Sequence, residues 1–387
     1  VLKSVSLVAS FLIGLCLVCG FKSNTEMEKE IAVLPTQEPA PLKGVELSPF
    51  GKTANGDEVT LIACSNANGN SMRLINYGAA MVSLELPDRD GKRANVILTC
   101  PDIAGFEACG SYFNAIAGRY CNRIAYGKFS IGDRQYQLAA NNGEHHLHGG
   151  VRGFDKRMWT FEPFSDDSGV GVRFTYVSPD GEEGYPGELT VNTTYTLTNK
   201  DELIVEITAK TDASTPVNLT NHNYWNLSGS GSILDHELQL FSSKYLPVDA
   251  GGIPLGQLAA VQDTPFDFRK SHAIRRDFDQ FAGEPGGIDH CFVVDGDNGK
   301  MRLAARLHDP KSGRGMEIET TEPGIQFYTG NFLDGTAGSG GYQKNGALCL
   351  ETEHFPDSPN QKDFPTTILE PGSTYFHRTI HRFGVMK

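Results

Sequence analysis

Three histidines fall within four positions of the stretch NNGEHHLHGG, residues 141–150. An imidazole titrates close to neutral pH, so a well-placed one can give or take a proton under physiological conditions. Gly149 and Gly150 let backbone or ligand approach closely, which makes His148 the most constrained of the three. His145 and His146 are expected to face solvent. A histidine tract can also hold a metal, but no cysteine or carboxylate at ligand spacing accompanies this one. Another histidine, His222, stands in NHNYWNLSG, residues 221–229, among two amides, Tyr224 and Trp225. It reads either as a core histidine bonded to backbone or as the wall of a site. Two carboxylates stand out as well. Asp289 precedes an apolar run in GGIDHCFVV, and Glu351 closes a buried-looking one in LCLETEHFPDSPN. Asn122 and Arg123, in AGRYCNRIAYGKF, add an amide and a five-donor fork suited to hydroxyl groups, or to an ion pair at the surface. A carboxylate and an imidazole held together can move two protons at once.

Several common catalytic signatures are absent. The chain has no H-E-x-x-H, no G-x-S-x-G, no Walker loop and no G-x-G-x-x-G. Nothing therefore points to a metalloprotease, an α/β-hydrolase, a P-loop protein or a dinucleotide-binding fold.

The elements that must position these groups are strands. VELSPFGKTANGDEVTLIACSNANGNSMRLINYGAAMVSLELPDRDGK alternates in short runs separated by Asn-Gly and Asp-Gly, which are hairpin signals. ELTVNTTYTLT, ELIVEITAKT and GMEIETT continue the texture towards the C-terminus. Only FEACGSYFNAIAGRY suggests a helical turn or two. Many short strands at regular spacing predict an all-β fold, a large antiparallel β-sandwich or barrel. No shift of composition divides residues 46–387.

The chain has 387 residues and a formal net charge of -13. That charge disfavours nucleic acid and anionic membrane as partners and suits a neutral small molecule. Cys16 and Cys19 lie in the N-terminal apolar stretch. The other six cysteines are scattered, with no C-x-x-C among them. Their even number allows disulfides, and a large core also accommodates free thiols. In VLKSVSLVASFLIGLCLVCG, Lys3 precedes an uncharged run to Gly20, short for a membrane span and suited to a secretory h-region. Residues 1–22 are therefore expected to be an export signal, with Cys19, or less readily Cys16, as a lipidation point. The expected location is periplasmic or envelope-associated. Residues 23–45, rich in Glu and Pro, read as a flexible linker.

Taken in order, GRYCNRI, LHGGVRGFDKRMW, NHNYWNLSG, DHCF, PGIQFYTGN and LETEHFPDSPN resemble the motif set of the aldose 1-epimerase (galactose mutarotase) family. The resemblance spans essentially all of residues 46–387. It implies the galactose mutarotase-like supersandwich and interconversion of the α and β anomers of a free aldohexose, such as glucose or galactose. Glu351 matches the catalytic base, His222 the catalytic acid and His148 the second active-site histidine. Asn122, Arg123, Tyr224, Asp289 and Gln326 match substrate-contacting positions. Asn223 stands where serine is common, and Trp225 where phenylalanine or tryptophan occurs.

The implied reaction needs one base, one acid, and neither metal nor cofactor. Glu351 as carboxylate takes the anomeric proton, and His222 as imidazolium gives one to the ring oxygen. Neighbouring carboxylates are expected to raise the pKa of His222, while His222 and Arg123 keep Glu351 ionised. Activity is then bell-shaped in pH, with the acidic limb from Glu351 and the basic limb from His222. Three other readings compete. A sugar-binding protein without turnover would not need both Glu351 and His222. A hexose-phosphate enzyme would want more cations than Arg123. A glycosidase pairing Asp289 with Glu351 would leave His222 unexplained.

Overall fold

The computed structural model describes residues 42–283 and 285–385. The expected export signal, Cys16, Cys19 and most of the expected linker lie outside them. Residues 42–45 lead through a turn into a first strand, Val45–Lys52, which begins one residue before the expected domain boundary. Among the described residues, no helix is long and apolar enough to cross a membrane.

Hairpin turns fall where Asn-Gly and Asp-Gly mark them. Gly56, Gly69 and Gly91 all have positive φ (90°, 79° and 78°), and each closes its turn with a backbone hydrogen bond to the residue three earlier. These turns fold residues 45–95 into a five-stranded antiparallel sheet. The single α-helix among the described residues, Ile103–Ala108, starts earlier than FEACGSYFNAIAGRY suggests. The Asp102 carboxylate accepts from the Gly105 amide (2.8 Å) and so sets its start.

Two larger sheets build the sandwich. A nine-stranded sheet runs from Thr160–Asp166 through Leu189–Thr198 and Glu202–Thr211 to the C-terminal strand Tyr375–Val385 and beyond. Its strands alternate in burial, as Leu189, Val191, Thr193, Tyr195 and Leu197 show by being fully buried at every second position. A six-stranded sheet places Tyr224–Trp225, Leu348–Glu353, Gly324–Tyr328 and Asp289–Val293 side by side. Trp225, Leu348, Leu350, Ile325, Phe327 and Phe292 turn one way, into a core shared with Val172, Phe174, Val191 and Ile207 of the larger sheet. Each fully buried aliphatic or aromatic side chain there contributes about 1.5–3 kcal/mol. The intervening residues turn the other way, towards the site. All six cysteines of residues 46–387 are buried and free, so none of them forms a disulfide.

Candidate active site

Strand register brings the chemistry together. Gln326 is the direct cross-strand partner of Glu351, and Cys291 pairs with Gln326 from the other side. Tyr224 pairs with Cys349, two residues before Glu351. Period-two alternation therefore puts Glu351, Gln326, Asp289 and Tyr224 on one face, with His222 two residues before Tyr224. From the loops come Asn122 and His148. Leu147 pairs with Arg123, the His148 amide donates to the Asn122 carbonyl (3.1 Å), and the Asn122 amide donates to His148 Nδ1 (3.1 Å). Asn122 (φ 60°), His148 (φ 48°) and Tyr112 (φ 56°) all adopt left-handed backbone, a cost that clusters at functional sites.

These groups line one cavity of about 200 Å³, with every expected site residue on its wall. His222 Nε2 and Glu351 Oε2 face each other at 3.4 Å, with side chains only 5% and 4% exposed. Glu351 Oε2 has no hydrogen-bond partner and neither does Gln326 Oε1. Gln326 Nε2 donates to Asp289 Oδ1 (2.6 Å), and Asp289 Oδ2 lies 3.7 Å from Arg123. Arg123 also donates to Asn142 (3.2 Å), so its fork is held in place rather than free at the surface. Tyr224 stacks on His222 at 5.1 Å, and Tyr112 lies 4.5 Å from the His148 ring.

Burial, and not the neighbouring carboxylates, dominates the proton chemistry. Desolvation lowers the pKa of His222 to about 4, against a smaller upward pull from Asp289. Desolvation, Glu353 and Asp289 push Glu351 well above the usual carboxylate range, against Arg123. Both directions reverse the expectation from charge proximity. In the free protein, both shifts favour the neutral form of the group, histidine and carboxyl alike. His148 is likewise held neutral by burial and by the cations near it. Its Nδ1 accepts the Asn122 amide, so Nε2 carries the ring proton. Ring and carboxylate atoms of His148, His222 and Glu351 come within 4.8 Å of one another. With its proton on Nε2, however, His148 presents a donor, whereas a metal ligand needs a lone pair.

The expectation of solvent-facing His145 and His146 is overturned. His146 is fully buried, bonded to the Ala139 carbonyl (2.8 Å) and to the Tyr185 hydroxyl (2.7 Å). His145 accepts the Tyr126 amide (3.1 Å) and is 8% exposed. Pairing of His146–Leu147 with Arg123–Ile124 draws both inward. Trp225 lies in the core. Asn223 is buried with neither amide atom hydrogen-bonded, and nothing in the structure explains it. Two groups had no place in the sequence reading. Glu353 has a readable signal, two residues from Glu351 on one strand; Tyr112 has none. Glu353 is fully buried and accepts from Asn122 Nδ2 (2.9 Å) and from the Cys121 thiol (3.1 Å).

Fold and site together define a β-sandwich protein with a buried carboxyl–imidazole pair lining a small cavity of mixed polar and aromatic residues. The aldose 1-epimerase family model matches residues 60–382, and the chain belongs to that family. It is 46% identical over 317 residues to the galactose mutarotase of Homo sapiens, covering 81% of this chain and 90% of that protein. With the aldose 1-epimerase of Escherichia coli it shares 35% over 336 residues, covering 85% and 96%. The crystal structure of a galactose 1-epimerase from Lactobacillus acidophilus superposes with a TM-score of 0.80 at 28% identity, covering 90% of this chain and all of that one.

Proposed function

We propose that this protein is an aldose 1-epimerase, interconverting the α and β anomers of free aldohexoses by acid–base-catalysed ring opening and closure. The observation that carries this reading is the buried Glu351–His222 pair at 3.4 Å, roofed by the hydroxyl-binding groups Arg123, Asp289 and Gln326. Ring opening removes one proton from the anomeric hydroxyl and adds one to the ring oxygen. The proton count of the site is unchanged, so the pair must hold a single mobile proton. The upward shift of Glu351 and the downward shift of His222 favour Glu351 as its holder in the free protein. Sugar hydroxyls entering the cavity donate to the carboxylate and favour its charged form, with the proton on His222. Glu351 then takes the anomeric proton as His222 protonates the ring oxygen. Rotation about the C1–C2 bond presents the other carbonyl face, and closure restores the pair. His148 Nε2–H is a further donor to the oxygen that gains charge, and stacked Tyr224 covers an apolar patch of the ring.

Activity against pH follows from proton count. The acid limb of kcat/KM belongs to His222 taking a second proton, near pH 4 in the free protein. The alkaline limb belongs to loss of the only proton from Glu351. This reverses the assignment of limbs expected from charge proximity. Polarimetry of freshly dissolved α-D-glucose and α-D-galactose tests the reading. Glu351→Gln and His222→Asn are each expected to lower kcat by about 10²–10⁴. Undiminished mutarotation in either variant refutes the assignment of that residue.

A further inference from the structure

Two tyrosine rings lie nearly parallel to the His222 imidazole. Tyr224 is one, at 5.1 Å and 22°. Tyr112 is the other, at 6.0 Å and 27°. The Tyr112 ring also meets His148, at 4.5 Å and 52°, and the two imidazoles stand 5.1 Å apart. One tyrosine on the cavity wall thus packs against both active-site histidines.

That ring is kept where the backbone resists it. Tyr112 has φ 56°, a left-handed conformation in which a bulky side chain is an outlier and glycine or asparagine is at ease. Lys156 supplies a hold on the ring. Its ammonium sits over Tyr112, 5.0 Å from the ring centroid and within cation–π range. Lys156 is itself fixed, because Nζ donates to Asp155 Oδ2 (2.6 Å) and the Asp155 side chain is only 6% exposed. Both residues belong to the short turn Phe154–Lys156, where the Phe154 amide donates to the Gly118 carbonyl (2.9 Å). Contacts therefore run without a break from Asp155 through Lys156 and Tyr112 to His148 and His222.

We infer that Tyr112 and Lys156 are positioning residues for the two histidines: Lys156, anchored on Asp155, holds the Tyr112 ring, and the ring fixes His148 and His222 and favours the imidazolium form of His222. The π face of an aromatic ring attracts a cation, and His222 can protonate the sugar ring oxygen only in its charged form. Sugar binding is left to Arg123, Asp289 and Gln326, so the ring acts on kcat and not on KM. The inference rests on the epimerase reading and adds two residues to its machinery.

Polarimetry of α-D-glucose with four variants tests it. Tyr112→Asn removes the ring and suits the left-handed backbone, so the fold is retained in thermal melts while kcat falls by roughly 10². Tyr112→Phe returns the ring and is expected to recover at least about one-third of the unaltered kcat. Lys156→Met, at a position where the side chain is 24% exposed, is expected to lower kcat about tenfold. KM stays within about twofold throughout. Because Lys156 acts through the ring, Lys156→Met is expected to cost nothing further in a Tyr112→Asn protein. Undiminished kcat in Tyr112→Asn or in Lys156→Met overturns the inference, as does a Tyr112→Phe protein no better than Tyr112→Asn. A raised KM with unaltered kcat also overturns it, since Tyr112 would then be a sugar-binding surface. So does a Lys156→Met loss of the same size in both backgrounds. Each of these leaves the epimerase reading standing, whereas an unaltered protein without mutarotation overturns both.

Discussion

Glu353 shows how one buried charge sets the behaviour of another. It shares a strand face with Glu351, and burial raises its own pKa to about 8. Above that pH its carboxylate opposes ionisation of Glu351. Glutamine keeps an acceptor for Asn122 Nδ2 and removes the charge. Glu353→Gln is therefore expected to shift the alkaline limb of kcat/KM downwards by roughly one pH unit, with KM for α-D-glucose little changed. An unmoved limb would mean that Glu353 only holds Asn122 in place. This dependence could not be read from residue types. Two carboxylates near an arginine and a histidine suggest ionised groups, whereas burial raises the pKa of both glutamates and lowers that of His222.

Period two arranges most of the cavity. Each site-bearing strand offers polar residues at alternate positions, and the positions between them anchor the strand in the core. Cys349, Glu351 and Glu353 alternate with Leu348 and Leu350, and Asp289 and Cys291 flank His290. That alternation is plain in the sequence. Cross-strand register, which sets Gln326 opposite Glu351, is not. The loop behind His148 depends on a single atom's width. An added Cβ at Gly149, where φ is 87°, would lie 1.8 Å from the Gly118 carbonyl oxygen. Gly149→Ala must therefore displace the segment that carries His148. A misplacement of about 1 Å costs roughly 10² in rate, and that is the loss of kcat expected from polarimetry. Circular dichroism melts should show a smaller change than a core truncation would produce. Full kcat in the Gly149→Ala protein would mean that His148 is not needed where it lies.

Burial of ionisable groups also shapes the stability of the whole fold. His381, 4% exposed against Trp225, has its pKa lowered to about 4 by desolvation. An unfolded histidine titrates near 6.5. As pH falls, the unfolded chain takes up this proton first. The contribution of His381 is intact above about pH 6.5, declines down to about 4, and is flat below that. Glu353 acts in the opposite sense, losing stability as pH rises from its unfolded value towards 8. Comparing two proteins that both contain Glu353 cancels it. His381→Phe is expected to reduce the loss of unfolding free energy between pH 7 and pH 4.5 by about 2 kcal/mol. Urea titrations at the two pH values measure this. Equal losses in both proteins would show that His381 is not the group responsible.

Strand texture, turn positions and the ordered motifs around Asn122, His148, His222, Asp289, Gln326 and Glu351 are local properties. Alternation and Gly-bearing turns act over a few residues, so they are written in the chain. The burial of His145 and His146, the opposed pKa shifts of Glu351 and His222, and the part played by Glu353 and Tyr112 are not local. Each depends on which distant segments exclude water from a given atom. Desolvation is a property of the packed molecule, and it reversed the pKa shifts that proximity alone suggests.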